Sequence, residues 1–412
     1  MNAFLEQASA IARRICRDAI WSGSRCNWIG PSIESLNMWD VRHKSFGPDL
    51  YSGTSGVAVF LASAVQSGED RLIRKTAEGA ARHAQEHAGE FPPAQSPGLY
   101  SGTTGVAWAL IRVGELLGAS EWQERGLGIL DGLAAPPDDA AIDLMSGYAG
   151  AIPVLIELSR RYDRPAWLEL AARWGKRLEQ VALKSPEGWS WKTVEPPPVA
   201  AGRNLTGFSH GTAGIGWALY ELFGATGEPG FRCAAEEAFR YERTHYNSEH
   251  ENWPDFRDYL RPPGSPPGPT FGTAWCHGAP GIALSRLRAW RLAGGGELRT
   301  EAETAVRTTR KAVDSPEAFR AGFSLCHGCA GNADILLEAA RVLEAPDLSA
   351  SAGRIGQAGI EHFEAQRLPW PCGLHGAGET KNLMLGTAGI GYFYLRLANP
   401  ALPTMLMIGC AL

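Results

Sequence analysis

Two cysteines and a histidine stand close together in the stretch SLCHGCAGNAD, residues 324–334. Cys326 and Cys329 have the spacing of a C-x-x-C pair, and His327 lies between them. Such a cluster is typical of a redox pair or of part of a zinc site. A redox pair needs two cysteines that face one another, whereas zinc takes soft thiolates together with imidazole. The alternative to both is ordinary buried packing.

The same stretch belongs to an internal repeat of the form x-x-G-x-x-G. The first glycines of its seven copies are Gly53, Gly102, Gly147, Gly211, Gly278, Gly328 and Gly386. Each copy is followed by mostly apolar residues with helical spacing, which predicts a buried helix. The segments between the copies are amphipathic and suit an outer layer, and alternating β-branched residues are almost absent. A repeat of this length is typical of a solenoid or ring architecture.

These observations predict an all-α fold, an α/α toroid of seven inner and seven outer helices around a central cavity. Residues 1–45 precede the repeats and are predicted to form a helical segment that packs on the toroid, which takes residues 46–412. Two loops rich in Pro, Gly and Trp interrupt the period, at 184–206 and 247–273. Such loops are either functional elements beside the cavity or solvent-facing insertions.

The two residues before the first glycine change from copy to copy. Three consecutive copies carry reactive groups there, as Ser209–His210, Cys276–His277 and Cys326–His327. In a ring these equivalent positions lie side by side, so the groups are predicted to converge at its mouth. Soft thiolates with imidazole favour zinc in tetrahedral geometry, and buried structural residues are the alternative.

The zinc interpretation favours Cys276, Cys326 and His327 as ligands. Cys329 falls where the other copies have Thr, Tyr or Ala, so it is predicted to pack rather than to form a redox pair. His277 and His327 are equivalent in the repeat, and the residues alone leave either one open as the nitrogen ligand. Asp143 precedes Gly147 by four residues. It is either an acid at a helix start or a carboxylate that orients a histidine.

The composition bounds the class of protein. With 412 residues, 44% of them hydrophobic and 20% charged, the chain can bury a substantial core. A net charge of -5 and the lack of a basic stripe argue against nucleic-acid partners. We expect no transmembrane segment and a cytoplasmic protein, because no apolar run approaches a membrane span and early arginines exclude a signal peptide. The eight cysteines are scattered, which favours packing residues or metal ligands over disulfides.

Several phrases resemble the lanthionine synthetase C-like (LanC-like) cyclase family. SHGTAG, WCHGAPG and SLCHGCAG carry this resemblance. NLTGFSHGTAGI, NWPDFR and LMLGTAGIGYFYLRLANP look more like the cyclase domain at the C-terminal end of class II lanthipeptide synthetases. The resemblance runs from about Tyr51 to Pro400 and implies the same toroid of seven inner and seven outer helices. It also leads us to expect a cyclase that stands apart from its dehydratase.

The resemblance implies a zinc site with an open position. Cys276, Cys326 and His327 match the family's ligands, and the fourth position is left to water or to the substrate thiol. Trp275 matches the tryptophan before the first cysteine ligand. His277 stands where some relatives have Tyr, and we expect it with Trp275 in the substrate pocket.

The implied reaction joins a peptide cysteine to dehydroalanine or dehydrobutyrine in the same chain, which gives lanthionine or methyllanthionine. Zn²⁺ would favour the ionised thiol. The resemblance makes His210 the acid/base residue and Asp143 its partner or a second catalytic group. The expected partners are a dehydrated precursor peptide and a separate dehydratase or kinase/lyase.

Three other functions stay open at this point. The first is a non-catalytic, zinc-containing LanC-like protein that binds peptides or glutathione. The second is an enzyme that adds small thiols to dehydrated peptides. The third is another toroid enzyme, such as a prenyltransferase or terpene cyclase relative, although the chain shows only one short acidic patch, PDD at 137–139.

Overall fold

The computed structural model describes residues 2–33, 41–66, 68, 70–133, 138–194, 203–257, 268–373 and 378–410. Within these ranges the chain forms fourteen α-helices. They are α1 (Ala3–Arg17), α2 (Thr54–Val65), α3 (Arg71–Glu86), α4 (Thr103–Leu117), α5 (Ser120–Asp131), α6 (Tyr148–Tyr162), α7 (Pro165–Val181), α8 (Thr212–Thr226), α9 (Pro229–Thr244), α10 (Ala279–Ala293), α11 (Gly296–Val313), α12 (Cys329–Val342), α13 (Pro346–Gly359) and α14 (Thr387–Ala398).

The strands of the described chain are short and pair into three antiparallel hairpins. They are β1 (Ile20–Ser22) with β2 (Arg25–Asn27), β3 (Ile29–Ile33) with β4 (Val41–Ser45), and β5 (Leu183–Ser185) with β6 (Gly188–Ser190). This agrees with the expectation of few strands. Across the same ranges, no helix combines the length and apolar character that a membrane span requires.

Seven helices each begin at the residue after a first glycine of the repeat. These repeat helices are α2, α4, α6, α8, α10, α12 and α14, and the other seven alternate with them along the chain. The repeat helix α2 is buried at all 12 of its residues. The intervening helix α3 buries one face, including Ile73, Ala77 and Ala84, and leaves Arg71 and Arg74 exposed. The apolar pattern therefore correctly separated a buried set of helices from an amphipathic set.

The second glycine of the repeat is required by a close approach of the backbone. A Cβ at Gly281 would lie 2.1 Å from the carbonyl oxygen of Trp275 and 2.4 Å from Phe208 Cβ. A Cβ at Gly56 would lie 2.3 Å from the carbonyl oxygen of Leu50. In both copies the loop before the helix folds back under its first turn, and only glycine leaves room for that path.

The described chain contains two compact units. The first comprises Met1–Ala140, Val313–Asp334 and Ser349–Thr404. In it α1 packs against α14, α2 contacts α3, α4 and α14, and α4 contacts α5. Backbone hydrogen bonds of 2.9 Å run from Cys326 N–H to Met384 O, from Met384 N–H to Tyr51 O, and from Tyr51 N–H to Tyr100 O. All four residues occupy the second position before a first glycine, so equivalent points of these copies are linked directly.

The second unit comprises Ala141–Ala312, Ile335–Leu348 and Met405–Leu412. In it α8 contacts α6, α7, α9 and α10, and α6 also packs against α7. The same kind of backbone link appears here. Leu144 N–H donates to Ser209 O, and Ser209 N–H donates to Cys276 O, both at 3.2 Å. The loops that carry the reactive residues of this unit are therefore tied to one another in repeat order.

The predicted division into residues 1–45 and 46–412 stays a prediction. The first part contains helix α1 and also the strands β1 to β4, so it is not helical throughout. Of the two predicted loop insertions, the structure describes 184–194 and 203–206 of the first, and 247–257 and 268–273 of the second. The remainder of both lies outside the described residues. The second loop is bridged twice, between Asn247 and Asn252 and between Asp255 and Thr270.

Candidate metal centre and active site

The loop before α8 is held by a buried carboxylate. Glu242 of α9 accepts hydrogen bonds from the backbone N–H groups of Gly207, at 3.0 Å, and Ala213, at 2.9 Å, and from the hydroxyl of Thr212. Burial raises the pKa of Glu242 to about 7, against the opposing effects of Arg286 and of these hydrogen bonds. This side chain fixes the backbone that presents Ser209 and His210.

The loop before α10 is held by an asparagine. Asn252 accepts a 2.8 Å hydrogen bond from the first backbone N–H of α10, at Ala279, and donates to the carbonyl oxygen of Gly272 at 3.1 Å. The carbonyl oxygen of Cys276 accepts from the N–H and from the hydroxyl of Ser209, both at 3.2 Å. The position of Cys276 is therefore set from both sides of its loop.

Trp275 supports this loop from within. Its side chain is 0% exposed, and its indole N–H donates to the carbonyl oxygen of Leu406 at 2.8 Å. The ring also meets Phe208 edge to face at a centroid distance of 5.9 Å. Full burial makes Trp275 a packing residue in this structure, and the substrate-pocket role expected for it stays a prediction.

Three predicted ligands come together. One ligand atom each from Cys276, Cys326 and His327 lie within 4.8 Å of one another, and this is the one such group of potential metal ligands in the described residues. Cys326 is buried, and the other two side chains are partly accessible. Two thiols and an imidazole form the soft donor set that zinc prefers.

The ring of His327 is oriented by a backbone carbonyl. Its Nε2 lies 2.6 Å from the carbonyl oxygen of Gly373. A carbonyl only accepts, so Nε2 carries the proton and Nδ1 of the neutral ring keeps a lone pair. A ligand histidine that donates its other N–H to a carbonyl is the usual outer-shell arrangement at metal sites.

Cys329 does not belong to this cluster. Its side chain is 2% exposed at the start of α12, and burial raises its pKa well above the usual value. A buried thiol of this kind resists ionisation, so it suits neither metal binding nor redox exchange. The structure agrees with the expectation that Cys329 packs.

His210 and Asp143 form a second, hydrogen-bonded group. The Nδ1 atom of His210 lies 2.5 Å from Asp143 Oδ2, while Oδ1 accepts from the backbone N–H of Ser146 at 2.8 Å. Asp143 is buried, whereas the His210 side chain is 27% exposed. The carboxylate therefore fixes the ring orientation and leaves Nε2 as the nitrogen that can exchange protons.

His277 is engaged by two residues that the sequence did not single out. Its Nε2 contacts the guanidinium of Arg257, and its Nδ1 lies 3.9 Å from Asp255 Oδ2. Arg257 in turn donates to both carboxylate oxygens of Asp255, at 3.1 and 2.9 Å. The His277 and His210 rings stack with centroids 6.4 Å apart. Asp255 and Arg257 both lie in the NWPDFR phrase, which was the available signal.

The charge on Asp255 is stabilised by these neighbours. Its burial would by itself raise the pKa, but His277 and then Arg257 outweigh that effect and hold the pKa well below the usual range. Asp255 is therefore an ionised anchor for Arg257. His277 is held in this network, outside the group of three potential ligands.

The fold is shared with a solved enzyme. A structure of nisin cyclase superposes with a TM-score of 0.64 at 16% identity, over 87% of this chain and 90% of the other. A sugar epimerase from a ruminal bacterium gives 0.49 at 12% identity, over 97% and 99%. A cellobiose 2-epimerase from Spirochaeta thermophila gives 0.47 at 15%, over 98% and 99%. The match to nisin cyclase confirms the predicted all-α toroid class.

The sequence defines the family more narrowly. A search of curated proteins finds no match to this chain. The profile of the lanthionine synthetase C-like protein family matches residues 44–407, which is most of the chain. This protein therefore belongs to the lanthionine synthetase C-like family.

Proposed function

We propose that this protein is a zinc-dependent lanthipeptide cyclase, which adds peptide cysteine thiols to dehydroalanine or dehydrobutyrine within one chain. The observation that carries the proposal is the meeting of Cys276, Cys326 and His327 within 4.8 Å. Family membership and the fold shared with nisin cyclase support the same reaction class. The products would be lanthionine and methyllanthionine thioethers.

The residues present suit a zinc ion. Cys276 and Cys326 would bind as thiolates, and His327 through Nδ1, because its Nε2 is engaged with Gly373. When bound, zinc supplies positive charge that favours the ionised form of a thiol. Three protein ligands are the number typical of a catalytic site, whereas a structural zinc has four.

His210 is the proposed proton donor. Addition of sulfur at the β-carbon forms the C–S bond and moves the alkene electron pair towards the carbonyl, so the α-carbon then needs a proton. Nε2 of His210 gives that proton, while Asp143 at Nδ1 stabilises the charged ring before transfer. The thiol loses one proton and the α-carbon gains one, so the reaction consumes no further reagent.

The proposed substrate is a dehydrated precursor peptide. Dehydroalanine and dehydrobutyrine come from serine and threonine by loss of water, so a dehydratase or kinase/lyase has to act first. We propose that a separate protein performs that step.

The proposal is tested by counting free thiols. The purified protein, loaded with zinc or stripped by a chelator, is incubated with a dehydrated peptide that contains cysteine, and remaining thiols are alkylated and counted by mass. Ring closure removes thiols without changing the peptide mass, and only in the zinc-loaded sample. Peptide alone and the Cys233→Ser variant are the controls, because Cys233 is exposed and outside the cluster.

Other outcomes distinguish the alternative functions. A protein that holds zinc but leaves every thiol intact is a binding protein, and the cyclase proposal is then wrong. A mass increase of the peptide in the presence of glutathione, without ring closure in its absence, indicates an enzyme that adds small thiols.

A further inference from the structure

A cavity of about 350 Å³ lies between α9, the segment that follows it and α11. Its walls include Tyr246, Trp253 and Thr300, none of which belongs to the site described above. The volume falls within the range of pockets that take small ligands or a large side chain. Tyr246 and Trp253 contact each other with ring centroids 4.9 Å apart and make much of one wall aromatic.

The charged groups at this cavity compensate one another. Arg243 pairs with Glu297 at 2.9 Å and also contacts Glu301. Glu301 receives a further 2.6 Å bond from Arg286. Two arginines thus face two glutamates, and an ionic ligand would have to displace an existing pair. The cavity therefore suits an uncharged, apolar occupant.

Trp253 adds apolar surface to the wall. The residue is 2% exposed and its Nε1 is buried, so the part of the ring that an occupant meets is carbon. A large apolar side chain of a peptide would pack against such an aromatic wall.

The cavity is connected to the active site by a short piece of chain. Trp253 and Arg257 are four residues apart, so their Cα atoms are separated by at most about 14 Å. Arg257 contacts His277, which directly follows Cys276. A peptide held at Trp253 therefore keeps its neighbouring residues close to the site, which raises their effective concentration there.

We propose that this cavity anchors the precursor peptide, by taking one of its large apolar side chains. The proposal rests on the proposed function for the identity of the peptide, but the binding itself does not depend on the reaction. The anchoring residue lies within roughly ten residues of a reacting cysteine, because a longer tether would lose the gain in effective concentration.

Binding is tested with N-acetylphenylalanine amide on the full chain. The protein is labelled with ¹⁵N at tryptophan, and the Trp253 indole signal is assigned through its contact with Tyr246. The expected result is a saturable shift of this signal. Thr300→Phe narrows the cavity and should weaken binding at least about tenfold, whereas Glu303→Phe, an exposed substitution on the same helix, should not. An unmoved signal, or equal binding by both variants, overturns the proposal.

Kinetics separate this inference from the proposed function. With a long dehydrated peptide, Thr300→Phe should raise KM several-fold and leave kcat unchanged, whereas Glu303→Phe changes neither. Probe binding without any loss of peptide thiols overturns the cyclase proposal and keeps the cavity as a peptide site. Loss of thiols with the same KM in both variants overturns the anchoring role and keeps the cyclase.

Discussion

At the scale of single residues, His210 and Asp143 form a pair in which the carboxylate orients the imidazole ring. The buried carboxylate is held by the backbone N–H of Ser146, so it cannot turn away from the imidazole. A carboxylate in this position fixes the orientation of the ring and selects the tautomer with the proton on Nδ1, which in the proposed mechanism leaves Nε2 for proton transfer. The histidine alone would have neither property.

Replacing the carboxylate by an amide tests this role. Asp143→Asn keeps the size of the side chain but removes its charge, so we expect the rate of ring closure to fall by roughly a hundredfold. Zinc content should not change, because Asp143 is not one of the three ligands. The measurements are single-turnover thiol loss and zinc content of the same sample. Asp139→Asn, an exposed acid in the same segment, is the control. Loss of zinc in Asp143→Asn would contradict the assignment.

At the scale of elements, the repeat glycines determine how each loop meets its helix. Gly281 has no room for a Cβ because Trp275 O and Phe208 Cβ would lie 2.1 and 2.4 Å away. We expect Gly281→Ala to lower the free energy of unfolding by about 1–3 kcal/mol and to weaken zinc binding, since the loop of Cys276 must shift.

The matched control for this change is Gly128→Ala, in α5. Among the described residues nothing lies within 4 Å of a Cβ built there. The same substitution should then stabilise by about 0.4–1 kcal/mol, because alanine restricts the unfolded chain. Urea unfolding of the three proteins measures both effects. Equal behaviour of the two variants would show that the close approach at Gly281 is not what the repeat requires.

The buried carboxylate of Glu242, which holds the loop before α8, predicts that the stability of the protein depends on pH. Burial raises the pKa of Glu242 from 4.5 to about 7, so between these values the unfolded chain ionises while the folded chain stays protonated. The contribution of Glu242 to the free energy of unfolding is therefore fully present below pH 4.5, and it is lost as the pH rises towards 7. The loss is on the order of 3 kcal/mol.

Glu242→Gln isolates that contribution. Glutamine accepts the same hydrogen bonds from Gly207 and Ala213 but does not ionise. The wild-type protein should therefore lose stability relative to the variant as the pH rises from 4.5 to 8, as measured by urea midpoints across this range. A difference between the two proteins that stays constant with pH would mean that Glu242 is already ionised at low pH in the folded state.

At the scale of the whole molecule, the repeat accounts for what could be predicted. Every first glycine is followed by a helix, so one short pattern predicted seven helix starts and the class of fold. The pattern also predicted that Cys276 and Cys326 occupy equivalent places. Adjacent copies are joined in the structure at that very position by backbone hydrogen bonds, such as Ser209 N–H to Cys276 O.

Some contacts at the candidate site could not be predicted from the sequence, because they join loops of different length. Asp255 and Arg257 reach His277 from an insertion that has no counterpart in other copies, so repeat position contains no information about them. The bond from His327 likewise reaches Gly373, a residue that belongs to no copy of the repeat. The packing of α1 against α14 brings together the two ends of the helical series, which spacing along the chain does not indicate.

The last prediction concerns the response of the folded chain to metal. Cys276 lies 50 residues before Cys326 and His327 follows Cys326 directly, so the three ligands meet only when the chain is folded, and metal binding should favour the folded state. At a free zinc concentration about a thousand times the Kd, the gain is about 4 kcal/mol, or about 5 °C in Tm for a chain of this length.

Differential scanning calorimetry with zinc and with chelator measures this shift. Cys326→Ser should lose most of it, because one thiolate ligand is gone, and Cys233→Ser should keep it, because that thiol is exposed and lies outside the cluster. Magnesium, which prefers oxygen ligands, should have no effect on any of the three proteins. The same Tm gain with zinc in Cys326→Ser would show that the metal binds elsewhere, and the assignment of these three ligands would then have to be abandoned.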